Sequence, residues 1–305
     1  MSPYLIRWQL YLDSSLICCD LTDYAHNMTI SANTVPVWFI TGASSGIGRE
    51  LVRQALEAGE VVVALARDTS PLGDLGESDR LLTIDADVRD ETAVLNAVER
   101  TVARFGRIDV VANNAGYGLF GAVEEVDDAR ARAIFDTNVF GVLNVLRATL
   151  PVLRGQRSGH ILQGSSYYGQ TADPGVGLLA ATKYAVEGLS DALVAEVAPL
   201  GIRVTLVQPG LTATPFLGNL DAAATTHVDY DQTVRAVQQA IQALPTSAFS
   251  DVDRVVAGIR AAVASDNPPR RLALGVAGAD NMRAALAARI VDLDEWAPVT
   301  NTVDA

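Results

Sequence analysis

The 305-residue chain has a single lysine, Lys183, among 23 basic residues, and only two cysteines and three histidines. The cysteines, Cys18 and Cys19, are neighbours, and neighbouring cysteines rarely close a structural disulfide. Such sparing use fits a reducing, cytoplasmic setting. Three scattered histidines and one cysteine pair offer no zinc-ligand spacing, so no metal site is expected. His160, in "SGHILQGSS", reads as structural rather than catalytic. No apolar run reaches the length of a membrane-spanning helix, and no membrane partner is expected. Positive charge is also short: 23 basic against 36 acidic residues leave a formal net charge of -13. That balance repels phosphate backbones and argues against nucleic acid as a partner.

What the chain does have is apolar mass. It is 49% hydrophobic and 19% charged, enough for a sizeable core. The first 27 residues, "MSPYLIRWQLYLDSSLICCDLTDYAHN", are interrupted by Gln9 and Asp13 and make a poor signal peptide. Residues 1–33 read as an extension expected to be poorly ordered, ahead of one domain over 34–305.

From residue 35, apolar β-branched runs alternate with longer helical stretches. "VPVWFIT", "EVVVALA", "RLLTID", "IDVVANN", "GHILQGS", "IRVTLVQ" and "RRLALG" read as buried strands. Helices are expected over 46–58, 91–105, 127–150 and 178–198. Continuous apolar strands separated by helices specify a parallel sheet covered on both faces. The expected fold is therefore α/β, a doubly wound parallel sheet of the Rossmann type, in a single domain.

"ITGASSGIGRELV" follows the first strand and opens the first helix. Gly42 can make the tight turn, Gly46 lets backbone approach a pyrophosphate, and Gly48 lets the helix pack closely. The helix N-terminus then offers free N–H groups to phosphates. The spacing is G-x-x-x-G-x-G rather than G-x-G-x-x-G, so the turn alone is a modest signal.

"TGASSGIG" at 41–48, "NNAG" at 113–116, "SS" at 165–166, Lys183 and "PG" at 209–210 occur in a telling order. In order and interval they resemble the classical short-chain dehydrogenases/reductases, over residues 35 to about 300. The resemblance implies an oxidoreductase with a nicotinamide dinucleotide. Gly42, Ser44, Ser45, Gly46, Ile47 and Gly48 would cradle its phosphates. Asp87 and Val88 would meet the adenine, and Asn113, Asn114, Ala115 and Gly116 would line the dinucleotide. Pro209, Gly210, Thr212 and Thr214 would lie by the nicotinamide. The second strand ends in Ala66, where an NAD enzyme usually has an acid, and Arg67 follows, suited to a 2′-phosphate. NADP(H) is thus favoured over NAD(H).

The resemblance also implies a catalytic set: Asn138, Ser166, a tyrosine, and Lys183. The tyrosine should stand four residues before the lysine and thirteen after the serine, and both counts land on Leu179. Leucine has no proton to give. Tyr167 and Tyr168, directly after Ser166, are candidate replacement donors, or simply pocket wall. Tyr184 should point elsewhere and pack. Residues 215–248 are expected to form a mobile cover over an apolar pocket.

The expected function is an NADP(H)-dependent oxidoreductase with a non-standard proton donor, acting on a small apolar or aromatic carbonyl or alcohol. The alternatives are a nucleotide-binding sensor or scaffold without turnover, and a non-redox isomerase. The resemblance further implies a homo-oligomer, dimer or tetramer, paired through the helices near 127–150 and 178–198.

Overall fold

The computed structural model describes residues 35–303 except Glu77. The expectations about residues 1–33 and the two cysteines lie outside the described residues. Seven strands form a parallel sheet: β1 (Val37–Thr41), β2 (Val61–Ala66), β3 (Leu81–Asp85), β4 (Val110–Asn113), β6 (Gly159–Gly164), β7 (Ile202–Pro209) and β9 (Arg271–Leu274). Their spatial order is β3-β2-β1-β4-β6-β7-β9, and every pair is parallel. The order reverses between β1 and β4, so a crevice opens above the carboxyl ends of these two neighbours. Strand β5 (Leu119–Phe120) pairs separately with β8 (Asp221–Ala222).

Parallel strands buried on both faces need apolar residues at odd and even positions alike, which is how β1 and β2 read. Phe39, Val63, Val111 and Ile161 enter a core layer against α2 (Glu91–Phe105), α4 (Gly141–Gln156) and α5 (Gly177–Val197). Trp38, Ile40, Val62 and Ala112 enter the opposite layer, against α1 (Gly46–Glu57) and α6 (Val252–Ala264). A third cluster, with Leu119, Phe120, Tyr167, Tyr168, Val176 and Leu179, lies over the carboxyl ends of the strands.

The expected helix over 127–150 is not one helix. It runs as α3 (Asp128–Phe135), a π-helical turn (Asp136–Phe140) and then α4, which continues through Pro151 to Gln156. The π turn rotates the chain so that the Asn138 amide points inward. There it donates to the Tyr117 carbonyl (3.0 Å) and Thr182 Oγ1 (3.1 Å).

His160 lies within β6, and its Nε2 is 2.9 Å from Thr205 Oγ1 on β7. Burial, with Arg203 nearby, pushes the imidazole down to about 3. An unfolded histidine takes its proton near pH 6.5. The native state therefore loses stability as pH falls below 6.5, down to about 3. Between pH 6.5 and 4.5 the loss is about 2–3 kcal/mol, at about 1.4 kcal/mol per pH unit. Urea unfolding across this window should show that slope in the native protein and lose it in His160→Gln.

Candidate functional site

The sheet's reversal point is built by side chains that bind backbone. Thr41 ends β1, and its Oγ1 accepts from the amides of Asn114 (3.1 Å) and Ala115 (3.1 Å). Asn114 Nδ2 returns bonds to the Thr41 and Gly42 carbonyls. Asn113 Nδ2 donates to Gln163 Oε1 across β4 and β6, at 2.9 Å. The "NNAG" stretch is thus a strut between β1 and β4. It fixes where the glycine turn leaves the sheet.

That turn leaves no room for side chains. Gly42 has φ +63, and a Cβ there would lie 2.8 Å from Ala115 Cα. A Cβ on Gly48 would lie 2.5 Å from Asn114 Nδ2 and closer still to the Gly42 carbonyl oxygen. Ser45 caps α1 without using its side chain, so the first-turn amides of the helix stay available. Together these features make a backbone cradle at a positive helix end.

The cradle opens into a cavity of about 1550 Å³ that runs from Arg67 to the apolar cluster. All the candidate site residues named from the sequence line this cavity except Gly48 and Asn138. Gly48 sits behind the turn. Asn138 is buried behind the wall, where its amide holds Tyr117 and Thr182 and its Oδ1 accepts from the Tyr117 amide (3.1 Å). Its Oδ1 lies 3.0 Å, and Lys183 Nζ 3.7 Å, from where a Cβ of Gly116 would be, so the amide stands close to the ammonium without bordering the cavity. Arg67 is exposed at the far end and forms no ion pair among the described residues. Near it Asp87 is paired with Arg89 at 2.6 Å, and that guanidinium holds the Asp87 carboxyl below its usual range. Thr212 Oγ1 donates to the Gly210 carbonyl, fixing the turn after β7.

At the other end stand Ser166, Lys183 and Leu179. Ser166 follows β6, and its Oγ accepts from the Tyr168 amide at 3.2 Å, which leaves the hydroxyl proton free to donate. Lys183 Nζ donates to the Gly164 carbonyl at 2.7 Å. Burial pulls this ammonium down to about 8. Leu179, one helical turn before Lys183 on α5, is 4% exposed. The phenols differ from one another. Tyr168 donates to Asp173 Oδ2 at 2.9 Å, and burial pushes its ionisation far up. Tyr167 lies against Tyr168, ring centroids 4.0 Å apart, and burial pushes it to about 12. Tyr184 is on the outer side of α5, under the Arg289 guanidinium.

Several contributors were not found from sequence. Glu187, one turn beyond Lys183, is 4% exposed and gathers four partners. It accepts from Ser165 Oγ (2.5 Å), Gln208 Nε2 (2.8 Å), Gln170 Nε2 (3.0 Å) and Arg271 Nε (2.8 Å). It therefore anchors the Ser165–Ser166 turn to β7 and β9. Over the cavity, β5 and β8 clasp residues 119–120 to 221–222. Beside the clasp Arg235 grips Glu125 with both terminal nitrogens, at 2.6 and 2.9 Å. That grip holds the Glu125 carboxyl at about 2. A glutamate inside an apolar helix was the one available signal for Glu187. The clasp residues had none.

Among the described residues no group of three His, Cys, Asp or Glu could hold a metal ion, and no helix is long and apolar enough to cross a membrane. Comparison with known proteins places the arrangement. Residues 36–225 match the short chain dehydrogenase family. Oxidoreductase BOA17 of Botryotinia fuckeliana is 37% identical over 242 residues, 78% of this chain and 88% of that protein. A short-chain dehydrogenase from Streptomyces avermitilis superimposes with a TM-score of 0.83 at 37% identity, covering 89% of this chain and all of that one. A Burkholderia cenocepacia short chain dehydrogenase in complex with NADP gives 0.68 at 26% identity, covering 86% and 97%. With the sheet order, the glycine cradle and the lysine of α5 all in place, this chain belongs to the short-chain dehydrogenase family of oxidoreductases.

Proposed function

We propose that the protein is an NADP(H)-dependent reductase of small apolar or aromatic carbonyl compounds that works without the usual phenol. The observation that carries this reading is continuity. The glycine cradle, Arg67, Ser166 and Lys183 all border one cavity. The residues fit the dinucleotide: the cradle excludes any Cβ at Gly42 and Gly48, and the buried Lys183 ammonium has used one of its three donors on protein. Arg67, which follows β2 and forms no ion pair among the described residues, suits a 2′-phosphate, in line with the NADP named for the Burkholderia structure. When bound, the dinucleotide supplies hydride to a carbonyl carbon. Ser166 holds the carbonyl oxygen through its free hydroxyl proton, and Lys183 holds the ribose side of the cofactor. Tyr167 and Tyr168 serve as wall, since the Tyr168 proton is already directed to Asp173.

The substrate end is apolar. Phe120, Val176, Leu179, Phe216 and Leu220 border the same cavity, beneath the clasp formed by residues 221–222. Desolvation of a small apolar carbonyl is favoured there, and a multiply charged substrate is not. Residues 215–248 act as the cover.

The test is carbonyl-dependent oxidation of NADPH across a panel of aliphatic and aromatic ketones and aldehydes. Ser166→Ala should lower turnover about 10²-fold while leaving NADPH affinity within about threefold. Gly48→Ala should do the reverse at the first step. Its methyl would drive α1 off the turn and weaken NADPH binding at least about 10²-fold, measured by fluorescence titration. NADPH binding with no ketone turned over, in the native protein and in Leu179→Tyr alike, would overturn the reductase reading.

A further inference from the structure

The cavity needs an acid at the substrate oxygen, and Leu179 cannot supply one. Five groups around the site carry a dissociable proton, and their geometry separates them. Tyr168 is bound to Asp173. Tyr167 packs against Tyr168 in the cluster with Met282, and a Cβ on Gly278 would lie 3.3 Å from its own Cβ. Tyr117 borders the cavity, but burial raises its phenol above the ordinary range and makes it a weaker acid. Glu187 is enclosed by four partners behind the Ser165 turn. Lys183 remains. It is on the same face of α5 as Leu179, one turn on, and borders the cavity together with Ser166. Its Nζ lies 3.7 Å, and Asn138 Oδ1 3.0 Å, from where a Cβ of Gly116 would be, so the glycine leaves a gap that the ammonium and this amide oxygen both face. The Gly164 carbonyl takes one of its N–H bonds, and two are left.

We propose that the Lys183 ammonium, directly or through one water in the space that a tyrosine at 179 would fill, is the acid that protonates the substrate oxygen held by Ser166. The role rests on the carbonyl-reductase reading above. As hydride arrives at the carbonyl carbon from the reduced nicotinamide dinucleotide, the C=O π pair moves to oxygen. An N–H bond of Lys183 breaks and an O–H bond forms. The alcohol leaves, and the neutral amine takes a proton back from water. The titratable groups on the elements packed against Lys183 are Glu187 on its own helix and Tyr167, Tyr168 and Asp173 after β6. Tyr117 after β4 and Asp136 in the π turn complete the set, and none of them forms an ion pair with Lys183. Desolvation alone therefore governs its ionisation, down to about 8. An ammonium in that range is a competent acid near neutral pH, and an unperturbed lysine would be a far weaker one. The acid form is present below about pH 8 and is lost as pH rises through it.

Because the chain has one lysine, lysine labelled with ¹³C at the ε carbon gives a single resonance for Lys183 in the full-length protein. Its titration should have a midpoint well below that of free lysine. NADPH-dependent ketone reduction should fall tenfold per pH unit above the same midpoint. Lys183→Arg keeps the charge but holds its proton too tightly to give it up. Turnover should drop about 10²-fold or more, and the loss should persist at saturating NADPH. Methylammonium added to Lys183→Ala should restore part of the rate. A rate independent of pH through the lysine midpoint, or full turnover in Lys183→Arg, overturns the assignment. So does loss of turnover in Tyr167→Phe with the lysine titration unchanged. A native protein that binds NADPH but turns over only as Leu179→Tyr removes Lys183 as the acid and leaves the reductase fold reading intact. Failure of both proteins to turn over removes both.

Discussion

Leu179→Tyr is expected to raise the rate of NADPH-dependent ketone reduction by about 10–10²-fold, less than the whole contribution of a positioned general acid because the Lys183 ammonium already supplies part of it. Position 179 lies on α5 one turn before Lys183, beside Ser166 at the cavity wall. A phenol there would share a helix face with the ammonium, whose charge would stabilise the phenolate and lower its pKa. Tyrosine is larger than leucine, but the side chain opens on a cavity of about 1550 Å³ rather than a closed core, so overpacking should stay small. The gain should appear in kcat, with NADPH affinity unchanged, because the cradle and Arg67 lie at the other end of the cavity. Steady-state kinetics of both proteins on one aromatic ketone reads this directly. An unchanged kcat would mean that the leucine is not what limits the chemistry.

Glu187→Ala is expected to have the largest effect on stability. The carboxylate is buried and holds Arg271, Ser165, Gln208 and Gln170 at once. Its removal leaves a half-buried guanidinium and three polar side chains to find new partners. Breaking a buried pair in this way typically costs about 3–5 kcal/mol. For a domain of this size the thermal midpoint should drop by roughly 10 °C, measured by circular dichroism. Turnover should fall as well, because Ser166 follows the Ser165 that Glu187 anchors. Glu187→Gln keeps the shape and two of the polar contacts, so its loss should be smaller. Equal stability of the alanine variant and the native protein would show that the network does not hold the turn.

The strands were legible because a parallel sheet buried on both faces leaves an unbroken apolar record, as in "VWFIT" and "VVVALA". The glycine turn was legible because positive φ and absent space both demand glycine, as at Gly42. The break in the long helix at 136–140 was not. A π turn keeps helical periodicity on either side, and its purpose, to aim Asn138 at Tyr117 and Thr182, depends on partners 21 and 44 residues away. Nor did the pattern reveal the clasp of Leu119–Phe120 on Asp221–Ala222. Two-residue strands carry no periodicity, and the Glu125–Arg235 pair beside them spans 110 residues. At the site itself the residue types were readable, but the assignment of protons was not. The Tyr168 hydroxyl, a candidate donor by position, donates to Asp173 five residues on, a bond that no pattern in the sequence announces.

The claim that matters most is that the dinucleotide site is whole even though the tyrosine is gone. Titrating the native protein with NADPH and NADH by fluorescence tests it most directly. Saturable NADPH binding, at least about tenfold tighter than NADH and reduced to the NADH level by Arg67→Ala, is the expected result. No saturable binding of either nucleotide would contradict it.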